Sequence, residues 1–250
     1  MSAADGFSNG RGLHGQLVTE LGRRIAAGEL DPSEPLVPDE IGERFGVSRT
    51  VVRETLRVLQ AKGMLRARQN VGTYIRPEQE WNLLDPDVMR WRLEGSNARR
   101  NMRDLVELRM AVEPQAAYLA ATRADEATRA RLLETVTDME SAAKASDFDA
   151  FTEADVRFHA TLFGASGNLM IEQLATTIVA ALRAREDTLA AGGGVSTDAL
   201  LDHRQVAEAV AEGDQDEARI GMRALLEVFT RDVEAALGAL ERRRRAPRRR

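Results

Sequence analysis

Apolar side chains recur with helical spacing over most of this 250-residue chain. Leu17, Leu21 and Ile25, with Val18, predict a helix over Leu13 to Ala27 that stops at Gly28. Asp39 to Phe45 predicts a short second helix ending at Gly46, and Val52, Leu56 and Leu59 fall at i, i+4 and i+7 to predict a third. Ser48 precedes that run as an N-cap, because its hydroxyl can accept a bond from an otherwise unpaired N–H of the first turn, and Gly63 follows it where a helix commonly stops. The period then changes. Met64 to Arg68 and Thr73 to Ile75 read as two short strands around Gln69-Asn70-Val71-Gly72, a hairpin.

After Arg76-Pro77 helical spacing returns and no strand pattern follows. Glu78 to Glu94 holds both tryptophans and reads as a link between two domains. Helical runs follow over 99–123, 125–145, 148–164, 168–190, 197–212 and 214–240, separated by short breaks that include Gly164 to Gly167, a flexible joint at Gly192 to Gly194, and Gly213. Pro114 takes one backbone bond out of the first run and predicts a kink there. The expected fold is mainly α: an N-terminal winged helix-turn-helix and a C-terminal antiparallel bundle of six or seven helices. The expected boundaries are 1–12 disordered, 13–77 winged helix-turn-helix, 78–97 linker helix, 98–240 helical bundle and 241–250 disordered tail.

Charge sharpens this division. The chain as a whole carries −5, yet residues 44–76 hold eight Lys or Arg against one acid, Glu54. Arg49, Arg53 and Arg57 repeat every four residues on the face of the third helix opposite its apolar positions. Arginine forks suit phosphates and the two acceptors of guanine, and short hydroxyl residues such as Ser48 and Thr50 fit where a helix start meets the DNA backbone. A basic helix after a glycine turn, followed by a hairpin carrying Arg66 and Arg68, therefore points to double-stranded DNA. Residues 78–241 carry 17 basic and 31 acidic side chains and are no nucleic-acid surface. Residues 242–250 hold seven arginines, which serve either as nonspecific attraction to DNA or only as a solubilising tail. The chain has no cysteine, so it has neither disulfides nor thiolate metal sites. It has no membrane-length apolar run and no leader segment, which predicts a cytoplasmic protein without a membrane partner. Aromatics at 4% leave little for RNA recognition by base stacking.

The stretch Val47-Ser-Arg-Thr-Val-Val-Arg-Glu-Thr-Leu56, with Leu59, Gly63, Arg68-Gln69 and Gly72-Thr73, resembles the winged-helix signature of GntR-type bacterial transcription regulators. The resemblance covers residues 12–76 and implies DNA contacts from Ser48, Arg49, Thr50 and Arg53, with Gly72 at the wing tip; Arg44 and Arg68 belong to the same basic surface. Pro38 and Asn70-Val71 depart from the usual pattern.

In the bundle, Asp155 and His159 share a helix face at i, i+4, and His203 opens a later helix. By residue type these three form either a divalent-metal set or an Asp–His pair in a polar pocket. Asp155-Val-Arg-Phe-His159, Leu162, Ser166-Gly-Asn168, His203, Ala209 to Asp214, Ala218 and Met222 resemble the effector-binding and dimerisation (FCD) domain of the FadR-type branch of GntR regulators, over about residues 100–235. That likeness implies a metal such as zinc held by one Asp and three His, and a small carboxylate effector. Asp155, His159 and His203 match; the third His would fall where this chain has Leu225. Arg109 matches a pocket arginine that pairs with the effector, and its alternative is an intrahelical pair with Glu113. Trp81 to Trp91 is similar to the linker of sugar-acid regulators, pointing to a sugar acid such as galactonate or gluconate, with pyruvate, lactate or an acyl compound as alternatives. The expectation is thus a homodimeric repressor of a DNA operator, responsive to a small carboxylate and not an enzyme. The alternative is a metal-dependent enzyme acting on a small organic acid.

Overall fold

The computed structural model describes residues 12–68, 71–190 and 197–245, which form two compact units divided between Ala98 and Arg99. The expectations for residues 1–11, Gln69-Asn70, the Gly192 to Gly194 joint and residues 246–250 lie outside the described residues.

The first unit runs α1 (Leu13–Ala26), α2 (Pro38–Phe45), α3 (Arg49–Ala61), β1 (Leu65–Arg68), β2 (Gly72–Ile75), a short 3-10 turn (Glu78–Glu80) and α4 (Pro86–Glu94). The turn between α2 and α3 is built as the sequence indicates. Gly46 adopts φ 65, a left-handed conformation that costs a residue without Cβ nothing, and the N–H of Val47 closes back on the carbonyl of Gly42 at 3.0 Å. Ser48 then caps α3 by accepting from the N–H of Val51 at 3.3 Å. Val52, Leu56 and Leu59 face inward onto Leu17, Leu21 and Ile25 of α1, and Met64, Leu65 and Ile75 close the core from the hairpin. The strands pair antiparallel with Leu65 opposite Ile75 and Arg68 opposite Gly72. A bridge from Leu36 to Thr73, whose carbonyl accepts the Leu36 N–H at 2.7 Å, ties the hairpin to the segment before α2.

Residues 78–94 pack into this unit. Asp85 caps α4 by accepting from the N–H groups of Asp87 and Val88, while the Lys62 ammonium bonds both Asp85 oxygens at 2.8 Å. Trp81 donates its indole N–H to the carbonyl of Arg76 at 2.9 Å. Trp91 is fully buried, and Gly22 of α1 makes room for it: a Cβ at Gly22 would lie 2.3 Å from the indole ring.

The second unit holds six helices among the described residues: α5 (Ala98–Arg123), α6 (Glu126–Ala145), α7 (Phe148–Ala165), α8 (Leu169–Ala190), α9 (Thr197–Glu212) and α10 (Gln215–Arg245). Each of α6 and α7 starts on an aspartate cap, Asp125 accepting from Thr128 N–H at 2.8 Å and Asp147 from Ala150 N–H at 3.0 Å. Helix α5 runs unbroken through Pro114, which leaves out one ladder bond without ending the helix. Helix α10 passes residue 240 and takes in Arg242 to Arg245, consistent with the good helix propensity of arginine and contrary to the expectation of a disordered tail from residue 241. One core, centred on Leu132, Val136, Met139, Phe158, Leu162, Val210, Met222 and Leu226, joins α6, α7, α9 and α10. A second, with Val106, Val156, Phe163, Ile178, Leu182 and Phe229, joins α5, α7, α8 and α10.

Gly22→Ala is expected to destabilise the first unit by about 1–3 kcal/mol, because the indole must shift to admit a methyl group. Both tryptophans of the chain lie in that unit, so urea unfolding followed by tryptophan fluorescence should show a lowered midpoint for the variant.

Candidate functional site

Two groups of side chains carry chemistry, one in each unit. On the first unit, Arg44, Ser48, Arg49, Thr50, Arg53 and Arg68 are all exposed, while Gly72 is half-buried. Arg49, the first residue of α3, donates through Nη2 to Oδ2 of Asp39 at 2.8 Å, and its Nε lies 2.6 Å from Oδ1 in the same ion pair. One turn on, Arg53 makes no ion pair among the described residues, and Arg57 holds Glu54 at 2.6 Å. In the wing, Arg68 stacks its guanidinium over the Tyr74 ring, 5.2 Å from the centroid. Gly72 has a local reason to be glycine: its φ is 135 and a Cβ there would sit 2.9 Å from the side chain of Pro35. The exposed apolar residue next to it is Val71.

In the second unit the sequence candidates converge. Arg109 of α5, Asp155 and His159 of α7, and His203 of α9 line one small cavity with Phe151, Leu182, Ala199, Leu225 and Phe229. The space they enclose holds little more than a water molecule or an ion. His203 donates from Nδ1 to the carbonyl of Ala199 at 2.6 Å, since a carbonyl can only accept, and this turns Nε2 toward Oδ1 of Asp155 at 3.0 Å. His159 brings its Nε2 to 3.3 Å from the same oxygen. The ligand atoms of Asp155, His159 and His203 all lie within 4.8 Å of one another. Leu225, 4% exposed, lines the cavity and offers no donor atom.

Glu113, one turn beyond Arg109 on α5, is the residue that sequence reasoning undervalued. It accepts from Arg109 Nε, as the i, i+4 spacing allows, but its other oxygen also lies 2.9 Å from Nδ1 of His159 on α7, set off the ring's N–H axis. That second contact is between helices, and nothing in local spacing signals it. Arg109 is 1% exposed and lies over the Phe229 ring at 4.4 Å. Its Nη1 has no hydrogen-bond partner among the described residues.

Electrostatics follow from this crowding. Burial alone would push Glu113 up, but the Arg109 guanidinium and the His159 ring outweigh it and hold Glu113 down at about 2. Burial would likewise push His159 down, yet Glu113 and Asp155 on its two sides raise it to about 9. Asp155 is held well below the usual carboxylate range by the two imidazoles, against its own burial. As a donor set the trio fits a divalent cation: one carboxylate and two imidazoles, with His203 oriented by the outer carbonyl of Ala199, the kind of support that orients metal-ligating histidines.

Comparison with known proteins finds a family for each unit. Residues 13–75 match the family described as bacterial regulatory proteins, gntR family, and residues 104–228 match the FCD domain. The chain is 31% identical over 221 residues to the galactonate operon transcriptional repressor of Escherichia coli (strain K12), covering 88% of this chain and 96% of that protein. It is 29% identical over 208 residues to the transcriptional regulator LutR of Bacillus subtilis (strain 168), covering 81% and 92%. In fold it is similar to the solved structure of Lar from Listeria monocytogenes, with a TM-score of 0.62 at 20% identity over 91% of this chain and 99% of that one.

His159 also makes stability depend on pH. Its pKa is raised from 6.5 to about 9 on folding, so its contribution is fully present below about pH 6.5 and is lost as pH rises through about 9. In chelator-treated protein, the urea midpoint followed by circular dichroism is expected to fall between pH 6.5 and 9, and His159→Gln should flatten that fall.

Proposed function

The chain belongs to the GntR family of bacterial transcriptional regulators and carries an FCD effector-binding domain, and we propose that it is an operator repressor released by a small carboxylate, with a sugar acid such as galactonate or gluconate as effector. It is a regulator and not an enzyme, as the relatives and structural neighbours all are. The observation that carries the effector reading is the buried Arg109, whose Nη1 lacks a partner beside the cavity. An unpaired, desolvated guanidinium nitrogen is costly to leave unmade, and a carboxylate is the ligand whose geometry matches it. The choice of a sugar acid is supported by the galactonate operon repressor among the relatives and by the linker-like stretch Trp81 to Trp91.

In this reading Asp155, His159 and His203 hold a divalent cation such as zinc, with Arg109 beside them as the effector's second anchor. A divalent cation held there would supply positive charge and an open coordination site for a carboxylate oxygen, since Leu225 offers no ligand. Arg44, Ser48, Arg49, Thr50, Arg53 and Arg68 form the DNA surface, and Gly72 shapes the wing. A homodimer pairs two such surfaces on a two-fold site, since a single recognition helix covers only a half-site. Among the described residues no helix is long and apolar enough to cross a membrane, in keeping with work on DNA.

A consensus duplex selected by this protein from a randomised library gives the DNA probe. Galactonate, gluconate and lactate are then titrated into the complex, with and without zinc, and anisotropy is read. His159→Ala is expected to keep DNA affinity within about twofold while losing the response, because it leaves the DNA-facing residues untouched. A His159→Ala protein that still responds at the wild-type concentration would sink this pocket as the effector site. Leu225→His is expected to raise zinc affinity by roughly 10–100-fold in calorimetry, the scale on which single contacts at metal sites act. No gain would mean that the trio does not hold a metal.

A further inference from the structure

We infer that Asp39 is a specificity-determining positioning residue for DNA recognition, presetting the Arg49 guanidinium so that it reads a base edge instead of clamping a phosphate. The inference rests on the reading of α3 as the recognition helix, and the experiment below separates the two. Asp39 sits in the first turn of α2 and Arg49 is the first residue of α3, so the pair spans the glycine turn that joins the helices. The carboxylate lies against the side edge of the guanidinium: Oδ2 accepts from Nη2 at 2.8 Å and Oδ1 lies 2.6 Å from Nε in the ion pair.

A guanidinium offers two edges for bidentate bonding. With the Asp39 carboxylate against the side edge and one Nη2 hydrogen taken by it, the end edge, made of Nη1 and the second Nη2 hydrogen, is left. That end edge is a two-pronged donor matched to O6 and N7 of guanine. The grip also removes the swivel of a long side chain, so the prongs meet the groove in one orientation.

Neither packing nor burial accounts for the pair. The side chains of Arg49 and Asp39 are 74% and 52% exposed, and an exposed ion pair of this kind contributes little to stability. Asp39 also sets a negative charge, with Glu40 beside it, at the start of α2. Such charge suits the helix dipole but repels phosphate, which lowers affinity for every sequence alike. Arg53, one turn further along α3 and without an ion pair among the described residues, is left as the sequence-independent phosphate contact. The Arg57–Glu54 pair differs in placement: it joins neighbours three apart on one helix and bridges no turn.

The test is binding-site selection from a library of duplexes with about 20 randomised base pairs, run on the full-length wild type, Arg49→Ala, Asp39→Ala and Asp39→Asn. Affinities for the wild-type consensus and a scrambled duplex are then measured across a salt series. Arg49→Ala should lose preference at one G·C pair per half-site, marking the base that Arg49 reads. Asp39→Ala should relax that same pair, by roughly tenfold in discrimination, and bind the scrambled duplex several-fold more tightly with a salt slope steeper by about one. Asp39→Asn, which keeps an oxygen acceptor without the charge, should gain the same nonspecific affinity and keep part of the base preference. If Arg49→Ala relaxes its base pair while Asp39→Ala keeps both the wild-type consensus and the wild-type ratio of affinities, the role of Asp39 is overturned and the recognition helix stands. If Arg49→Ala leaves the consensus unchanged, both readings fall.

Discussion

Five ionisable side chains, Arg109, Glu113, Asp155, His159 and His203, share the interior of the helical unit, none more than 4% exposed. Taking each from water costs several kcal/mol, and only mutual pairing with good geometry offsets that. The pairing runs in a chain across three helices: Arg109 to Glu113 within α5, Glu113 to His159 on α7, His159 to Asp155 within α7, and Asp155 to His203 on α9. Apolar side chains of the same volume would give a bundle at least as stable, so stability alone does not explain these residues. The chain fixes the register of α5, α7 and α9 around one small space. Of these five side chains it leaves two buried nitrogens without a hydrogen bond among the described residues, Nη1 of Arg109 and Nδ1 of His159, and a bound carboxylate that pairs with Nη1 would recover part of that cost.

The first unit works by the opposite logic, with an ordinary apolar core and its chemistry outside. Leu17, Leu59 and Trp91 are fully buried, and the arginines of α3 stand on the far face. Close approach is achieved by small residues at specific places. Gly63 lets the end of α3 come against the backbone of Glu80 and Asn82, where a Cβ would lie 2.9 Å from a carbonyl oxygen. Gly22 admits the Trp91 ring. Residues 78–94 are consequently part of the platform that holds α3, where hydropathy alone suggested only a link.

What the sequence disclosed and what it withheld divide along the range of the interactions. Caps, turns and faces are local: Ser48 before α3, Gly46 between the helices, and Val52, Leu56 and Leu59 on one side could all be placed from spacing. Arg109, Asp155, His159 and His203 came together because family likeness supplied the long-range information that spacing lacks. The Glu113–His159 contact, the Trp91–Gly22 fit and the Asp39–Arg49 grip depend on which helix lies against which, and no single-segment pattern encodes that. Pro114, expected to kink α5, takes one N–H out of the ladder, and the helix continues through it from Ala98 to Arg123. The run Arg242 to Arg245 shows the limit of a local rule: its charge suggested disorder, while its backbone preference is helical.

Leu225 is where chemistry and packing pull apart. Its side chain closes the cavity wall beside Phe229, adds apolar burial and offers no donor atom to Asp155's neighbourhood. Three protein ligands leave a cation short of its preferred four, so a fourth must come from water or from the effector itself. When the effector donates that ligand, its binding tightens the hold on the cation, and by reciprocity the cation tightens the hold on the effector by the same factor. A fourth histidine would weaken this coupling by satisfying the cation without the effector. If the trio holds a cation as proposed, the leucine would make its occupancy depend on the same carboxylate that Arg109 is proposed to bind, so that both signals would reach the bundle together.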